Sequence, residues 1–449
     1  MSNQTKKELV PKLRFPEFRE TGEWEEKKLG DMGDFKNGIN KDKSEFGHGV
    51  AFINLMDVFG FSVLDNKKNY GLVNANSNEI ESYSLLDGDV LFIRSSVKKE
   101  GVGETTLVWE DLPQTVYSGF LIRFRCNKLN KSFKKYCFWT PTFRQMLISS
   151  STTNANTNIN QDALSNLSIC IPSIPEQQKI ADCLSSLDDL IAAQSQKLET
   201  LKVHKKGLMQ QLFPEEGENV PKLRFPEFRE AGGWKKLPIG KTSMDLLSGF
   251  PFKGSDISED QRGIPLMRGI NITEGYIRHN QDIDRFFLGD TKTLEKYLLL
   301  TNDLVIGMDG SKVGKNTALI TERDSGSLLI QRVARLRTIC NSTIQFIFQQ
   351  INSVKFHSYV DRINTSSGIP HISLKQIEEF TMNFPPSLKE QQKIADCLSS
   401  LDDLIAVQSQ KLEALKTHKK GLMQQLFPNI KNDINTNIKY IERKSVISK

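Results

Sequence analysis

Two long stretches of the chain place apolar residues at the same alternating steps of four and three. In the first these are Ile180, Leu184, Leu187, Ile191, Leu198, Leu201, Leu208 and Leu212, with Gln194 and Lys205 filling the two gaps. The second runs through Ile394, Leu398, Leu401, Ile405, Gln408, Leu412, Leu415, Lys419, Leu422 and Leu426. Each predicts a helix carrying a coiled-coil seam of about five heptads. Ser173-Ile174-Pro175-Glu176 and Ser387-Leu388-Lys389-Glu390 fit the S-x-x-E capping box. Pro175 falls in the tolerant first turn, and Pro214 and Pro428 close the far ends. At 1.5 Å per residue such a helix is about 57 Å long, too long for one small domain to cover, and the other copy is a ready partner.

Charge sets the expected orientation. The first half of the first helix holds Glu176, Asp182, Asp188 and Asp189, and its second half holds Lys197, Lys202, Lys205 and Lys206. That gradient suits the helix dipole. It also predicts antiparallel packing, which sets acid against base, with a pseudo-two-fold axis near Gln194 and Gln408.

Strand signals fill the regions outside these helices. The run Gly88–Ile93 (GDVLFI) answers Asn302–Gly307 (NDLVIG), and the alternating Phe120–Arg125 answers Arg332–Arg337. Leu55-Met56 answers Leu266-Met267, and Gly103 before Leu107-Val108 answers Gly314 before Leu319-Ile320. A helical stretch follows in each copy, near Phe133–Ile148 and Thr343–Ile363, and then a polar loop, Ser149–Gln161 or Asn364–Ser373. Strands mixed with helices, with no regular βαβ rhythm, predict an α+β fold.

These correspondences belong to a duplication. Val10–Glu20 (VPKLRFPEFRE) recurs unchanged at Val220–Glu230, with Trp24 and Trp234 following at the same interval. Glu176–Pro214 recurs at Glu390–Pro428 with three changes: Ala193/Val407, Thr200/Ala414 and Val203/Thr417. So long a period marks tandem domains and excludes a solenoid. The ends of each unit match while the middles diverge, as expected of two scaffolds presenting different surfaces. The expected segments are a first domain over 1–172, a spacer helix over 173–214, a second domain over 215–386, a second helix over 387–428, and a polar, flexible tail over 429–449.

Composition adds less. A length of 449 residues with 38% hydrophobic and 25% charged residues describes a globular protein and excludes a disordered one. Met1–Val10 does not read as a secretory signal, no apolar run approaches a membrane span, and a cytoplasmic location follows as the expectation. Cys126, Cys137, Cys170, Cys183, Cys340 and Cys397 form no CxxC pair and lie at no zinc-ligand spacing, so they read as reduced thiols. A net charge of +6 permits nucleic-acid binding without demanding it. Half of that excess lies in the tail, where Lys431, Lys439, Arg443, Lys444 and Lys449 outweigh Asp433 and Glu442.

The order of variable domain, EQQKIADCLSSLDDLI helix, variable domain and matching helix resembles the specificity subunit of type I restriction–modification systems, over nearly the whole chain except the last twenty or so residues. The VPKLRFPEF…W segments and the paired D-V-L-F-I and D-L-V-I-G strands support it. The resemblance implies two tandem target-recognition domains, joined by two long antiparallel coiled-coil helices in a pseudo-two-fold arrangement. Each domain would read half of a bipartite site in double-stranded DNA. The helices would set the gap and dock two modification subunits that bind S-adenosylmethionine and methylate adenine. Restriction subunits, using ATP and Mg²⁺, would join through them, leaving this chain with no cofactor, no metal and no catalytic residue. Half-sites one turn, about 34–36 Å, apart suit a quasi-two-fold reader, and two divergent readers predict an asymmetric target.

Phosphate contacts call for Lys and Arg, and base contacts for side chains reaching the groove edges. The segment after the shared strand supplies both: Arg94, Ser95, Ser96, Lys98 and Lys99 in the first domain, and Asp309, Ser311, Lys312 and Lys315 in the second. A solvated turn would look the same. Asn154, Asn156 and Asn158, and opposite them Ser366, Ser367 and His371, form a second set, because amides suit adenine edges; ordinary loops share that composition. Arg332 at a strand start is a further candidate.

Several enzyme-like motifs fail on inspection. Gly310–Asn316 (GSKVGKN) has Asp309 where a P-loop needs its first glycine, and Asn316 where Mg²⁺ needs a hydroxyl. Asn383-Phe384-Pro385-Pro386 has the wrong order for an adenine-methyltransferase loop, and no Gly-rich cofactor loop accompanies it. Glu25-Glu26-Lys27 has no counterpart at Gly232–Lys235. His204 and His418 lie beside lysines on a solvated face. Two other functional classes stay open, a tandem coiled-coil adaptor that never reads DNA and a single-chain DNA-modifying enzyme.

Overall fold

The computed structural model describes residues 9–66, 68–153, 156–242, 244–338, 341–364 and 370–428. The expected tail over 429–449, together with Cys340, lies outside the described residues. The chain divides into two compact units, Met1–Gln194 with Lys411–Lys449, and Ser195–Gln410. The boundary falls inside both long helices, Ile174–Leu212 and Leu388–Leu426. Where the sequence reading sets the helices apart as segments of their own, packing shares each between two cores.

The first unit is built on a five-stranded sheet in the spatial order Asp34–Asn37, Leu121–Arg125, Val90–Ile93, Thr105–Val108, Val63–Leu64. Its first four strands are antiparallel and the last is parallel to its neighbour. A second sheet orders Gly71–Val73, Phe46–Ile53 and Thr115–Tyr117, the latter two parallel. Glu25–Lys28 pairs with Ser168–Ile171 where the unit meets its helix. Ile180, Ala181 and Leu184 of the first long helix share a core with Phe92, Phe124, Phe133 and Phe138, completed by Leu426 and Phe427. Phe427 stacks on Phe133 and meets Trp24 edge-on, at centroid distances of 5.6 and 5.9 Å.

The second unit repeats the plan from different residues. Its main sheet orders Met244–Ser248, Val333–Thr338, Leu304–Gly307 and Thr317–Leu319, all antiparallel. The second sheet orders Phe286–Phe287, Ile264–Met267 and Leu328–Leu329, the latter two parallel. Lys235–Pro238 pairs with Thr381–Phe384, and Leu212, Ile394, Ala395 and Leu398 complete the core around Trp234 and Phe346.

The central strand of each main sheet is buried at every position, which accounts for its continuous apolar run. Just before it, Gly88 (φ 80°) and Asn302 (φ 71°) adopt the left-handed conformation open cheaply to glycine and tolerated by asparagine. The next residue, Asp89 or Asp303, is 1% exposed and anchors the turn. It accepts Leu86 N or Leu300 N at 2.8 Å and a two-pronged hydrogen bond from Arg125 or Arg337 at 2.6–2.7 Å.

Four local expectations change. Leu55-Met56 opens a short helix, Leu55–Val58, whereas Leu266-Met267 ends a strand, so the two pairs do not correspond. Each helical stretch is two helices. Lys131–Cys137 is followed by Pro141–Ser149, which starts at the Thr140 cap with proline at its first position, and Asn341–Ile351 is followed by Val354–Ile363, capped by Ser353. The Ser149–Gln161 loop contains two short strands. Glu176 and Glu390 do not act as capping-box glutamates. Glu176 is 1% exposed and accepts Arg14 Nε and Nη2 at 2.8 Å and Trp24 Nε1 at 3.3 Å. Glu390, almost fully buried, takes Arg224 at 2.7 and 2.8 Å. A buried guanidinium outcompetes a backbone N–H for a carboxylate. The repeated VPKLRFPEF segments therefore carry the arginines that clamp the long helices.

Among the predicted seam positions, Ile180, Leu184, Leu187, Gln194, Leu198, Ile394, Leu398 and Leu412 are buried. Ile191, Leu201, Leu401, Ile405, Gln408 and Leu415 are half-buried, while Leu190, Val203, Leu404 and Val407, off the seam, are exposed. Within the first unit Lys419 pairs with Asp188, and within the second Lys205 pairs with Asp402 at 2.6 Å. Among the described residues no helix is long and apolar enough to cross a membrane.

Candidate nucleic-acid interface

At the far end of each central strand the two principal sets of sequence-predicted residues come together. In the first unit the strand ends at Ile93 and the chain continues through Arg94 into a short strand, Ser95–Ser96. That strand pairs with Thr157–Asn158, opposing Asn158 to Ser95 and Thr157 to Ser96. Ile159 N donates to Arg94 O at 2.9 Å, and Arg94 N donates to Phe120 O at 2.8 Å. Arg94, Ser95, Asn156 and Asn158 thus share one rim, where Asn158 Nδ2 donates to Asn156 O at 3.0 Å. Lys98 and Lys99 are exposed beside it, and Gly101 turns the loop where Ser96 and Phe59 approach too closely for a side chain. Asn154 lies outside the described residues.

The second unit has the same hydrogen-bond frame with other side chains. Met308 N donates to Arg332 O at 2.9 Å, Ile372 N donates to Met308 O at 2.9 Å, and Asp309 bridges His371. Asp309 therefore stands where Ser95 stands, His371 where Asn158 stands, and Arg332 where Phe120 stands. Arg332 Nη1 lies 2.9 Å from Asp309 Oδ2. Ser311 and Lys312 are exposed. Lys312 is ion-paired with Glu274 at 2.9 Å and Lys315 with Asp361 at 3.1 Å, so neither is a free cation. Burial, and then the nearby charge of Lys315, lowers the His357 pKa. Ser366 and Ser367 lie outside the described residues. The glycine-rich Gly310–Asn316 is a pair of tight turns, with Val313 N on Gly310 O at 3.1 Å and Asn316 N on Lys312 O at 3.1 Å.

Downstream the frames stay in step. Asn160 caps Gln161–Asn166 by accepting Ala163 N at 2.8 Å, and Ser373 caps Leu374–Glu379 by accepting Gln376 N at 3.2 Å. The left-handed Gly103 and Gly314 each donate back to the end of the central strand, to Ile93 O at 2.7 Å and Gly307 O at 3.0 Å. Phe120, 56% exposed, is the rim residue that residue-type reasoning passes over, because an aromatic side chain advertises a core position. The correspondence of the strands starting at Phe120 and Arg332 already carried the signal. Among the described residues no group of three or more His, Cys, Asp or Glu is placed to hold a metal ion.

One backbone frame is used twice with different side chains at its rim. Comparison with known proteins identifies the class. The family model for the type I restriction modification DNA specificity domain matches residues 21–203 and 270–417. The chain belongs to that family. It is 25% identical over 434 residues to a Methanocaldococcus jannaschii protein assigned as the type I restriction enzyme MjaX specificity subunit, covering 94% of this chain and 96% of that one. It is 26% identical over 301 residues to the type I restriction enzyme MjaVIII specificity subunit of the same organism, covering 65% and 68%. The fold is similar to that of the type I restriction–modification S subunit of M. genitalium, with a TM-score of 0.60 at 15% identity over 94% of this chain and all of the other.

Proposed function

We propose that this chain is the DNA-reading subunit of a type I restriction–modification complex, each unit taking one half of an asymmetric bipartite target in double-stranded DNA. The observation that carries the reading is the shared frame with divergent rims: Ser95, Asn158 and Phe120 in one unit, Asp309, His371 and Arg332 in the other. Two copies of a scaffold that differ where side chains face solvent are what two different half-sites require. In this reading Arg94, Lys98 and Lys99 hold phosphates, and the hydroxyl and amide groups face the bases.

The two long helices act in this proposal as one antiparallel coiled coil that spaces the readers and docks two modification subunits. The Lys419–Asp188 and Lys205–Asp402 pairs support it, since each joins the basic half of one helix to the acidic half of the other. A solved structure with a TM-score of 0.51 and 14% identity, described as the basis of complex assembly and conformational transition of the type I R-M system, supports the partner assignment through its fold. Catalysis and the S-adenosylmethionine, ATP and Mg²⁺ that it uses then belong to the partner subunits.

The test is the methylated motif in DNA exposed to the complex assembled with its modification subunits. A bipartite, asymmetric motif with a fixed unspecified gap is the expected result. A complex that methylates nothing in a sequence-dependent way, from a chain that shifts no duplex with or without its partners, supports the coiled-coil adaptor instead. Methylation by the isolated chain overturns the non-catalytic assignment.

A further inference from the structure

Phe120 and Arg332 are pinned at one place by one interaction. Each is the last residue before the strand flanking the central one, and each gives its carbonyl to the amide that leaves the central strand, Arg94 N at 2.8 Å or Met308 N at 2.9 Å. Neither side chain serves the core, Phe120 being 56% exposed and the Arg332 side chain 63% exposed. Their chemistries are opposed, a ring without a donor against a fork of five N–H groups.

Two further observations single out Arg332. Its φ is 66°, a left-handed conformation uncommon for a non-glycine residue and kept where the surrounding structure over-determines it. The Asp309 carboxylate, itself only 30% exposed, accepts Arg332 Nη1 at 2.9 Å and so aims the fork. A carboxylate at that spot opposes a phosphate. It does not oppose a neutral base edge, and beside an arginine it matches the acceptors of guanine and the amino donor of its paired cytosine.

We propose that Phe120 and Arg332 are base-reading residues at equivalent places in the two units. Arg332, steadied by Asp309, donates to O6 and N7 of a guanine in one half-site, and Phe120 packs on the methyl group of a thymine in the other. The inference rests on the function proposed above and assigns opposite readout chemistries to one position of the shared frame.

The experiment maps the methylated motif produced by the assembled complex carrying the wild-type chain, Arg332→Gln, Arg332→Lys or Phe120→Ala, with binding measured across salt concentrations. Arg332→Gln and Arg332→Lys are both expected to lose preference for one guanine of one half-site by about 5- to 150-fold, leaving the other half-site unchanged. Lysine keeps the charge but not the fork, so its failure separates base reading from phosphate binding. Phe120→Ala is expected to relax one thymine of the opposite half-site. An unchanged motif in the arginine variants overturns the inference while the proposed function stands. So does uniform weakening on all sequences with the salt slope reduced by about one, which assigns Arg332 to a phosphate. A wild-type complex without a bipartite motif overturns both. The unfolding midpoint checks that these exposed substitutions leave the fold intact.

Discussion

Replacing Glu176 by alanine probes the link between the repeated N-terminal segment and the long helix. The Arg14 and Glu176 side chains are 6% and 1% exposed. The carboxylate takes two Arg14 hydrogen bonds of 2.8 Å and one from Trp24 Nε1 at 3.3 Å, and hydrogen bonding to it raises the Arg14 pKa. Without it a guanidinium is left buried and uncompensated, held only by Gly22 O at 2.5 Å and Thr21 Oγ1 at 2.8 Å. Removing one partner of a buried pair costs about 3–5 kcal/mol, and a unit of this size loses about 2–4 °C per kcal/mol. The midpoint of the first unit should therefore fall by about 6–20 °C.

Hydrogen exchange at Val90–Ile93 and at Leu304–Gly307 reads the two units separately, so the loss should register in the first strand. The duplication supplies the control. Glu390→Ala breaks the matching Arg224 pair, but Trp234 Nε1 has no partner there, so its cost should be smaller by one indole hydrogen bond, about 0.5–1.5 kcal/mol. Arg14→Met combined with Glu176→Leu should recover most of the loss, because an apolar pair removes the stranded charge. A single variant costing under about 1 kcal/mol, as an exposed pair would, or a double variant no better than the single, refutes the reasoning.

Gly103→Ala should destabilise the first unit by about 1–2 kcal/mol for its left-handed backbone, plus about 1–3 kcal/mol for overpacking. Its new methyl group would strike Leu147, and the unfolding midpoint reads the loss. Burial works to raise the Asp188 pKa, but hydrogen bonds from Lys419 and Lys135 outweigh it, and the group titrates below its ordinary range. A depressed folded value contributes stability above the unfolded pKa of about 3.9 and loses it as pH falls through the folded value. Asp188→Asn should thus be less stable than wild type at neutral pH, with the gap closing under acid in pH-dependent melts. Lys98→Ala and Lys99→Ala, at positions with no ion pair among the described residues, should each lower the slope of log K against log salt by about 0.9 per lost phosphate contact. Lys312→Ala, which also frees Glu274, should lower it less.

The long helices were legible because a four–three spacing over ten positions has no other reading, and the central strands because Val90–Ile93 and Leu304–Gly307 are buried at every position. The rim was legible only in pieces. Ser95 and Asn158 were separate candidates, 63 positions apart, until Thr157–Asn158 paired with Ser95–Ser96. Phe120 was invisible as a surface residue because hydropathy records side-chain type and not where a strand ends. Glu176 was misread as a cap because S-x-x-E is a local pattern, whereas the arginine that claims the carboxylate lies 162 residues away.

The sequence by itself determined the duplication, the two helices, the paired central strands and the family, since all of these are written in local periodicity and in one copy compared with the other. Only the tertiary structure decided which polar residues stand together, that Lys312 and Lys315 are already paired, and that the equivalent Phe120 and Arg332 turn their side chains to solvent. Those facts depend on long-range pairing, in which a backbone hydrogen bond or a buried charge selects a partner by geometry across the fold, and the residues so joined leave no shared pattern along the chain.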